Sequence, residues 1–296
     1  MKQVYLYEKL GNNKVKCLNC AHYCNILPQK RGTCGVRENK NGKLYALNYG
    51  KVIALNVDPI EKKPLYHFLP KTYSLSLSTV GCNFKCQNCQ NWEISQFSGK
   101  EILGKALTPE EIVRMAKDNN LPSISYTYTE PAIFSEYALD IMKLARKQGT
   151  KNVWVTNGFW SKELFDMVSP YLDAVNVDLK GFTKEFYKKY CSGRLEPVLE
   201  TLKRLKKKKI WTEITTLVIP GLNDQEETFK GIANFIKKEL GEGTPWHVAK
   251  FSGAVSWKLN NIPDTPLKTL KTAYRRGKEA GLEYVHIGNV PGFSTE

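Results

Sequence analysis

From residue 73 onward the sequence alternates short strand-like runs with helical stretches, and this alternation restricts the available folds more than any other feature. The runs are YSLSLSTV (73–80), SISYTY (123–128), KNVWVTN (151–157), DAVNVDL (173–179), IWTEITTLVI (210–219), WHVAKF (246–251) and EYVHIGN (283–289). β-Branched and aromatic residues dominate them, as a pleated, half-buried surface requires. Between them, Thr108-Pro109-Glu110-Glu111 offers an N-cap, a proline at the first helical position and an acidic residue at the third. Apolar stripes at Ile133/Tyr137/Ile141/Ala145, Leu195/Val198/Leu202/Leu205 and Phe229/Ile232/Ile236/Leu240 mark the packing faces of further helices. Thr265-Pro266 opens a last helix, which Gly281 closes. β-then-α units in series build a parallel sheet with right-handed crossovers. A closed eight-stranded barrel needs about 250 residues. The predicted fold class is therefore α/β, with an incomplete barrel over residues 71–296. Its reactive face is predicted at the C-terminal ends of the strands.

Residues 1–70 read differently. They are rich in turn segments (GNNK, QKRG, ENKNGK, NYGK) and short on helical periodicity. Two hairpin-like units are predicted, the second turning at Asn41-Gly42, which makes this a small, mostly β, Cys-rich N-terminal module. With 42% hydrophobic and 25% charged residues, the chain has the composition of a soluble globular protein. MKQVYLYEKLGNNK lacks the apolar core of a signal peptide, and no apolar run approaches the ~18 residues of a membrane span. The expected compartment is the cytoplasm, with no membrane partner. The net charge of +15 raises the possibility of a polyanionic partner. The lysines are scattered, however, and the densest run, KRLKKKKI (203–210), falls at a helix end, where cations favour the C-terminus and solubility. Nucleic acid is thus the lesser expectation.

Seven of the eight cysteines lie in two clusters. In a reducing compartment clustered thiols are metal ligands or catalytic groups more often than disulfides. Cys82, Cys86 and Cys89, in VGCNFKCQNCQNWEISQ, follow the first barrel strand. Gly81 and Asn83 predict a tight loop there, with Phe84 and Trp92 as shields against water. Zinc and most iron–sulfur clusters take four ligands, and C-x3-C-x2-C is an unusual zinc half-site. The alternative is a zinc loop that borrows an outside ligand. Cys17, Cys20, Cys24 and Cys34 give C-x2-C-x3-C-x9-C with His22 inside. That closed set suits structural zinc or an iron–sulfur cluster, or else four thiols without metal. Cys191 stands alone and reads as a small buried residue.

CNFKCQNC resembles the signature of radical S-adenosylmethionine (SAM) enzymes. The resemblance implies that Cys82, Cys86 and Cys89 hold three irons of a 4Fe–4S cluster. The fourth iron is then open to the amino and carboxylate groups of SAM. An electron from the cluster breaks a carbon–sulfur bond of the sulfonium and yields a 5′-deoxyadenosyl radical. Glu130 of YTYTEP stands where the superfamily places an anionic acceptor for the SAM ammonium; its plainer reading is a charge ahead of Pro131. Asn157 of TNG (156–158) matches a polar SAM-contacting segment of glycyl-radical-enzyme activases, although Val155 occupies a position that is often acidic there. Asp178 and Lys180 of VDLKG resemble the activases' DLK, and their alternation with Val177 and Leu179 points both into the barrel mouth. VIPGLND (218–224) resembles the turn that supports the adenine. His247 of WHVAKF matches a SAM-contacting histidine, the alternative being a packed strand histidine.

The resemblance narrows further, to AmmeMemoRadiSam-system radical SAM proteins, relatives of pyruvate formate-lyase activating enzyme. It is carried by DPIEKKPLYHF (58–68), the cysteine loop, YTYTEP, VTNG, NVDLK, PWHV and YVHIGNVPG. It implies a partial (β/α)6-type TIM barrel and hydrogen abstraction from an unidentified substrate, with a protein glycine as the activase-like candidate, and a reductase, ferredoxin or flavodoxin as electron donor. The departures are Asn88 in place of an aromatic residue, Ala21 in place of proline, and no eight-cysteine ferredoxin insert. Similar proteins often continue past GNVPG into a C-P-x-C-G segment, whereas this sequence stops at Glu296. The rival expectations are a radical SAM enzyme that modifies RNA and a zinc-stabilised nucleic-acid-binding protein without catalysis.

Overall fold

Each of the seven predicted runs forms a strand, and all seven join one parallel sheet. The computed structural model describes residues 1–290. An antiparallel edge strand, β1 (Ala54–Pro59), precedes β2 (Tyr73–Ser78), β3 (Ser123–Tyr126), β4 (Lys151–Thr156), β5 (Ala174–Asp178), β6 (Trp211–Val218), β7 (Trp246–Lys250) and β8 (Val285–Gly288). Every strand pairs with the one before it in sequence, antiparallel for β1–β2 and parallel for the rest. The edges β1 and β8 pair with nothing further among the described residues. Asp58 from β1 and Gly288 from β8 nevertheless line one cavity, so the sheet curls around it as a partial barrel. The barrel sheet also reaches back into the first seventy residues, since β1 comes from them.

The helices fall where their sequence signals put them. α1 (Pro109–Asp118) begins with a capping box: Thr108 Oγ1 accepts from the Glu111 amide at 3.2 Å, and Glu111 Oε2 accepts from the Thr108 amide at 2.7 Å. Thr108→Ala is expected to cost about 1 kcal/mol, read as a lower urea midpoint at unchanged slope; an unchanged midpoint would show the cap to be dispensable. α2 (Ser135–Lys147), α3 (Lys162–Val168), α4 (Leu195–Lys207), α5 (Glu226–Phe235) and α6 (Leu267–Glu279) cover the outside of the sheet. The predicted stripes are buried: Tyr137 and Ile141 on α2, Val198, Leu202 and Leu205 on α4, and Phe229 and Ile232 on α5. After α6 the chain turns at Gly281, at φ +91.

The N-terminal module is a pair of small antiparallel sheets over a core of Val4, Val15, Cys17, Ile26, Leu44 and Ala46. The predicted hairpin turns at Asn41 (φ 51) and Gly42 (φ 84), the positive-φ pair of a tight two-residue loop. The module is bonded to the barrel through polar groups. Buried Arg37 makes a two-pronged pair with buried Glu136 at the start of α2, at 3.0 and 2.7 Å. Arg194 Nη2 donates to Ala21 O at 2.6 Å, and Asn19 Nδ2 to Ser135 Oγ at 3.0 Å. No helix among the described residues is long and apolar enough to cross a membrane. Pro291 and Gly292 of the predicted YVHIGNVPG match, and the end at Glu296, lie outside the described residues.

Candidate active site

The loop after β2 is shaped by a glycine. Gly81 has φ +99, and a Cβ there would stand 2.7 Å from Cys34 O, so no other residue fits without displacing the backbone. The loop is then clamped from the far side of the barrel. The Lys85 and Gln87 amides donate to Cys191 O and Tyr190 O, both at 2.9 Å. Cys82, Cys86 and Cys89 face one cavity of about 600 Å³ at the C-terminal ends of the strands. Glu130, Asn157, Asp178, Lys180 and His247 line the same cavity, and Asn88 stands in its wall. Phe84 is buried against Phe159 and Tyr187, as a shield requires. Trp92 is 40% exposed and is not part of the cavity wall: it opens a short helical turn (Trp92–Ser95) whose buried member is Ser95.

Burial pushes the Cys82 and Cys89 thiols above the usual range, and the Cys191 thiol followed by burial does the same to Cys86. A metal must therefore displace protons to bind here. Among the described residues no three His, Cys, Asp or Glu side chains converge as ligands of a single ion. Ligands of one ion crowd together at about 2 Å from it. Thiolates on separate corners of a cluster stand further apart, because iron and sulfide lie between them. Three thiols on one cavity wall, Cys86 buried and Cys82 and Cys89 partly buried, with no fourth ligand converging on them among the described residues, fit a cluster better than they fit zinc.

Glu130 is fully buried and well supplied with donors. Its Oε1 accepts from Thr156 Oγ1 (2.7 Å), the Ala132 amide (3.1 Å) and Trp160 Nε1 (3.3 Å); its Oε2 accepts only the Asn157 amide (2.8 Å). It caps the turn Pro131–Phe134 and lines the cavity. Burial outweighs these donors and holds its pKa above the usual carboxylate range. Just ahead of it, Tyr128 sits at φ 61, a left-handed conformation unusual for an aromatic residue. Its hydroxyl donates to Asp58 on β1, while Lys63 Nζ pairs with Asp58 at 2.7 Å and lies 4.7 Å from the Tyr128 ring centre. The edge strand thus pins the loop that carries Glu130, a contact with no local sequence signal.

Asn157 Nδ2 donates to Asn83 Oδ1 at 2.7 Å, which joins the TNG turn directly to the cysteine loop. Asp178 and Lys180 pair at 2.8 Å across the cavity wall. Burial works against the Lys180 ammonium, but Asp178 more than reverses this and keeps its pKa well above the usual value. Asn223 of VIPGLND donates to Lys180 O at 2.7 Å and to Leu217 O at 2.9 Å, so this turn positions the lysine.

Asp178, Thr215, His247 and His286 are register partners across β5 to β8 and form one row. His247 Nε2 lies 2.7 Å from Glu213 Oε2, and Glu213 also accepts from the Tyr66 amide (3.0 Å), the His67 amide (2.9 Å) and Trp211 Nε1 (3.0 Å). Burial opposes the charge on Glu213, yet these donors, His247 first, hold its carboxyl below the usual range. The network makes Nε2 the donor in neutral His247; its Nδ1 and the Thr215 hydroxyl are buried without a partner among the described residues, on two residues that line the cavity. His247 is thus a packed strand histidine that also lines the cavity.

His286 and His67 face each other Nε2 to Nε2 at 2.8 Å, tying the 60–72 loop to β8. Burial, then the neighbouring His247 and His67, depress His286 to about 4, while Glu213 acts in the opposite sense. The unfolded chain therefore binds a proton below about pH 6.5 that the folded chain does not accept until about pH 4. Stability from this group is complete above pH 6.5 and is lost as pH falls toward 4. The expected result is a urea midpoint that declines across this window, with a shallower decline in His286→Phe; equal slopes would remove His286 from the account.

The geometry accords with the comparisons. The family model described as the radical SAM superfamily matches residues 76–233. An uncharacterized protein of Methanocaldococcus jannaschii is 49% identical over 100% of this chain and 87% of its own length. A putative glycyl-radical enzyme activating enzyme of the same organism is 30% identical, over 71% of this chain and 78% of its own. Streptococcus suis SuiB bound to S-adenosylmethionine superposes with a TM-score of 0.56 over 71% of this chain and 48% of SuiB; at 13% identity this likeness concerns the fold alone.

Proposed function

This chain belongs to the radical SAM superfamily, and on that premise we propose that it reductively cleaves SAM and uses the resulting radical to abstract hydrogen from a substrate. The observation that carries the reading is the shared cavity: three thiols on one wall and a row of charged and polar groups at the strand ends on the others. In this reading Cys82, Cys86 and Cys89 hold a 4Fe–4S cluster. When bound, the cluster supplies one electron to the sulfonium of SAM and opens its carbon–sulfur bond to a 5′-deoxyadenosyl radical.

The protein's own groups bind and orient. Glu130 Oε2 accepts one amide and keeps a lone pair for the SAM ammonium. Lys180 donates one N–H to Asp178 and keeps two N–H donors for a carboxylate, held in place by Asn223 and by the Tyr187 hydroxyl that accepts from its amide at 3.1 Å. Asn157 braces the cysteine loop through Asn83, and His247 offers Nδ1 as an acceptor. Phe84 excludes water beside the thiols. Similarity to a putative glycyl-radical activating enzyme makes a Cα hydrogen of a protein glycine the candidate target, with a reductase, ferredoxin or flavodoxin as the electron source. A zinc-stabilised nucleic-acid binder would leave the polar strand ends without a task.

Anaerobic protein reconstituted with iron and sulfide and reduced with dithionite is expected to convert SAM to 5′-deoxyadenosine. Deuterium from a labelled glycine substrate should then appear in that product. Zinc-only protein with no cleavage would overturn the reading.

A further inference from the structure

On the reaction proposed above, one electron has to reach the cysteine loop from outside the chain. We propose that Lys85, Lys188, Lys189 and Lys258 form the docking surface for the protein that brings it, an acidic one-electron carrier. The carrier is oxidised by one electron, which passes to the centre held by the loop; no bond and no proton moves at the surface.

The lysines are gathered by the bonds that hold the loop. The Lys85 amide donates to Cys191 O and the Gln87 amide to Tyr190 O, both at 2.9 Å. Gln87 Nε2 donates to Lys189 O at 3.0 Å, and the Lys258 amide donates to Gln87 O at 2.8 Å. Cys86 lines the cavity, whereas Lys85 and Gln87 on either side of it belong to the outer rim. Electron transfer weakens steeply with distance, so a carrier must settle close to the thiols, and this rim is one residue from Cys86. The N-terminal thiols supply no second entry. Cys17, Cys20, Cys24 and Cys34 line a space of about 20 Å³, room for roughly one water, which does not fit a 4Fe–4S cluster.

The charge of the rim has one sign. FKCQNCQNW (84–92), FYKKYCSGR (186–194) and FSGAVSWKLNN (251–261) carry five Lys and Arg and no Asp or Glu. Lys188, Lys189 and Lys258 are exposed, and neither they nor Lys85 has a carboxylate partner among the described residues. Glu93 and Glu185 flank these segments in sequence and pair with none of them. The cavity lysines differ in this respect, since Lys63 is paired with Asp58 and Lys180 with Asp178. Cations without a counter-charge raise the local potential, which steers an acidic protein toward them and orients it. Lys189 and Lys258 Nζ stand 5.1 and 4.1 Å from the ring centres of half-buried Tyr190 and Trp257, which hold the two charges in place. Transient redox encounters bury less than about 1,200 Å², so a patch of a few residues is enough. The denser lysine run ends at Lys209, ahead of the first residue of β6, and so lies at the opposite end of the strands from the loop that follows β2.

The test uses the full chain reconstituted anaerobically with iron and sulfide, with an acidic ferredoxin and an acidic flavodoxin as probes. Lys188→Glu/Lys189→Glu/Lys258→Glu is compared with Lys207→Glu/Lys208→Glu/Lys209→Glu, which changes the net charge equally at the far end of the barrel. Calorimetric titration with the oxidised carriers reads docking without any reaction. The rim variant is expected to bind about tenfold more weakly than the wild type, and the far-end variant to match the wild type. Wild-type binding should weaken as salt rises. With the reduced carrier as electron source, 5′-deoxyadenosine formation should fall in the rim variant alone; with dithionite, all three proteins should be equal. Equal losses of binding in both variants would reduce the effect to net charge and overturn the docking surface. A wild type that binds neither carrier, or a rim variant that binds like the wild type, would overturn it too. Carrier binding that depends on the rim, beside a wild type that does not cleave SAM with dithionite, would keep the surface and reject the reaction.

Discussion

Cys86→Ala is expected to lower 5′-deoxyadenosine formation to the level of a protein-free control, with the fold retained. Cys86 is the middle thiol of the loop and is buried, with its backbone neighbours clamped to residues 190 and 191. In the proposed reading, removing it leaves two thiols where three corners would need holding, and a cluster so held is lost or oriented wrongly. Alanine fits the space, so circular dichroism and the urea midpoint should change little. Cys191 is the informative control, because its thiol adjoins that of Cys86. Cys191→Ala is expected to retain cleavage. If Cys86→Ala still cleaves SAM and only Cys86→Ala/Cys191→Ala fails, the third ligand is Cys191 and the loop assignment is wrong.

The largest expected loss of stability comes from Arg37→Leu. Arg37 and Glu136 are both buried, and the pair is the module's main charged attachment to α2. Leucine leaves the Glu136 carboxylate with little beyond the Ser135 hydroxyl at 3.4 Å. An unpaired buried charge costs about 3–5 kcal/mol. Replacing both partners with apolar residues, Arg37→Leu/Glu136→Leu, should recover most of that loss, because the penalty belongs to the stranded charge. Urea denaturation read by fluorescence measures both. A double variant no more stable than Arg37→Leu would mean that the arginine acts through packing instead.

The strands were legible because each is a short β-rich run at regular spacing, and parallel pairing of sequential strands follows from the alternation alone. α1 was legible down to its capping box because its signal is contained in four adjacent residues. What stayed hidden depends on residues far apart in sequence. Nothing local to Arg37 announces Glu136, and nothing local to Cys191 announces Cys86; both pairings come from the topology. Trp92 lies outside the cavity wall because the phase of its helical turn, which the sequence near the cysteines does not reveal, turns Ser95 inward instead. His247 illustrates a further limit. In the sequence, packing and ligand contact look like alternatives, yet an imidazole has two nitrogens, and here one is bonded to Glu213 while the other has no partner among the described residues. Tyr128 shows the same limit in the backbone, since no rule from single residues places an aromatic residue at φ 61.

The strand order has a consequence in time as well as in space. Because every strand of the sheet joins the one made just before it, the barrel can grow unit by unit as the chain leaves the ribosome, without waiting for its far end. All seven clustered thiols are synthesised before residue 90, whereas Asp178, Lys180 and His247 arrive much later. The clamp on the cysteine loop is later still than the loop itself, since it comes from residues 190 and 191. A nascent chain thus carries reactive thiols well before it has the walls to enclose them. Iron delivered early would meet a loose loop, and iron delivered late a finished pocket, so the timing of maturation is written into the order of the strands.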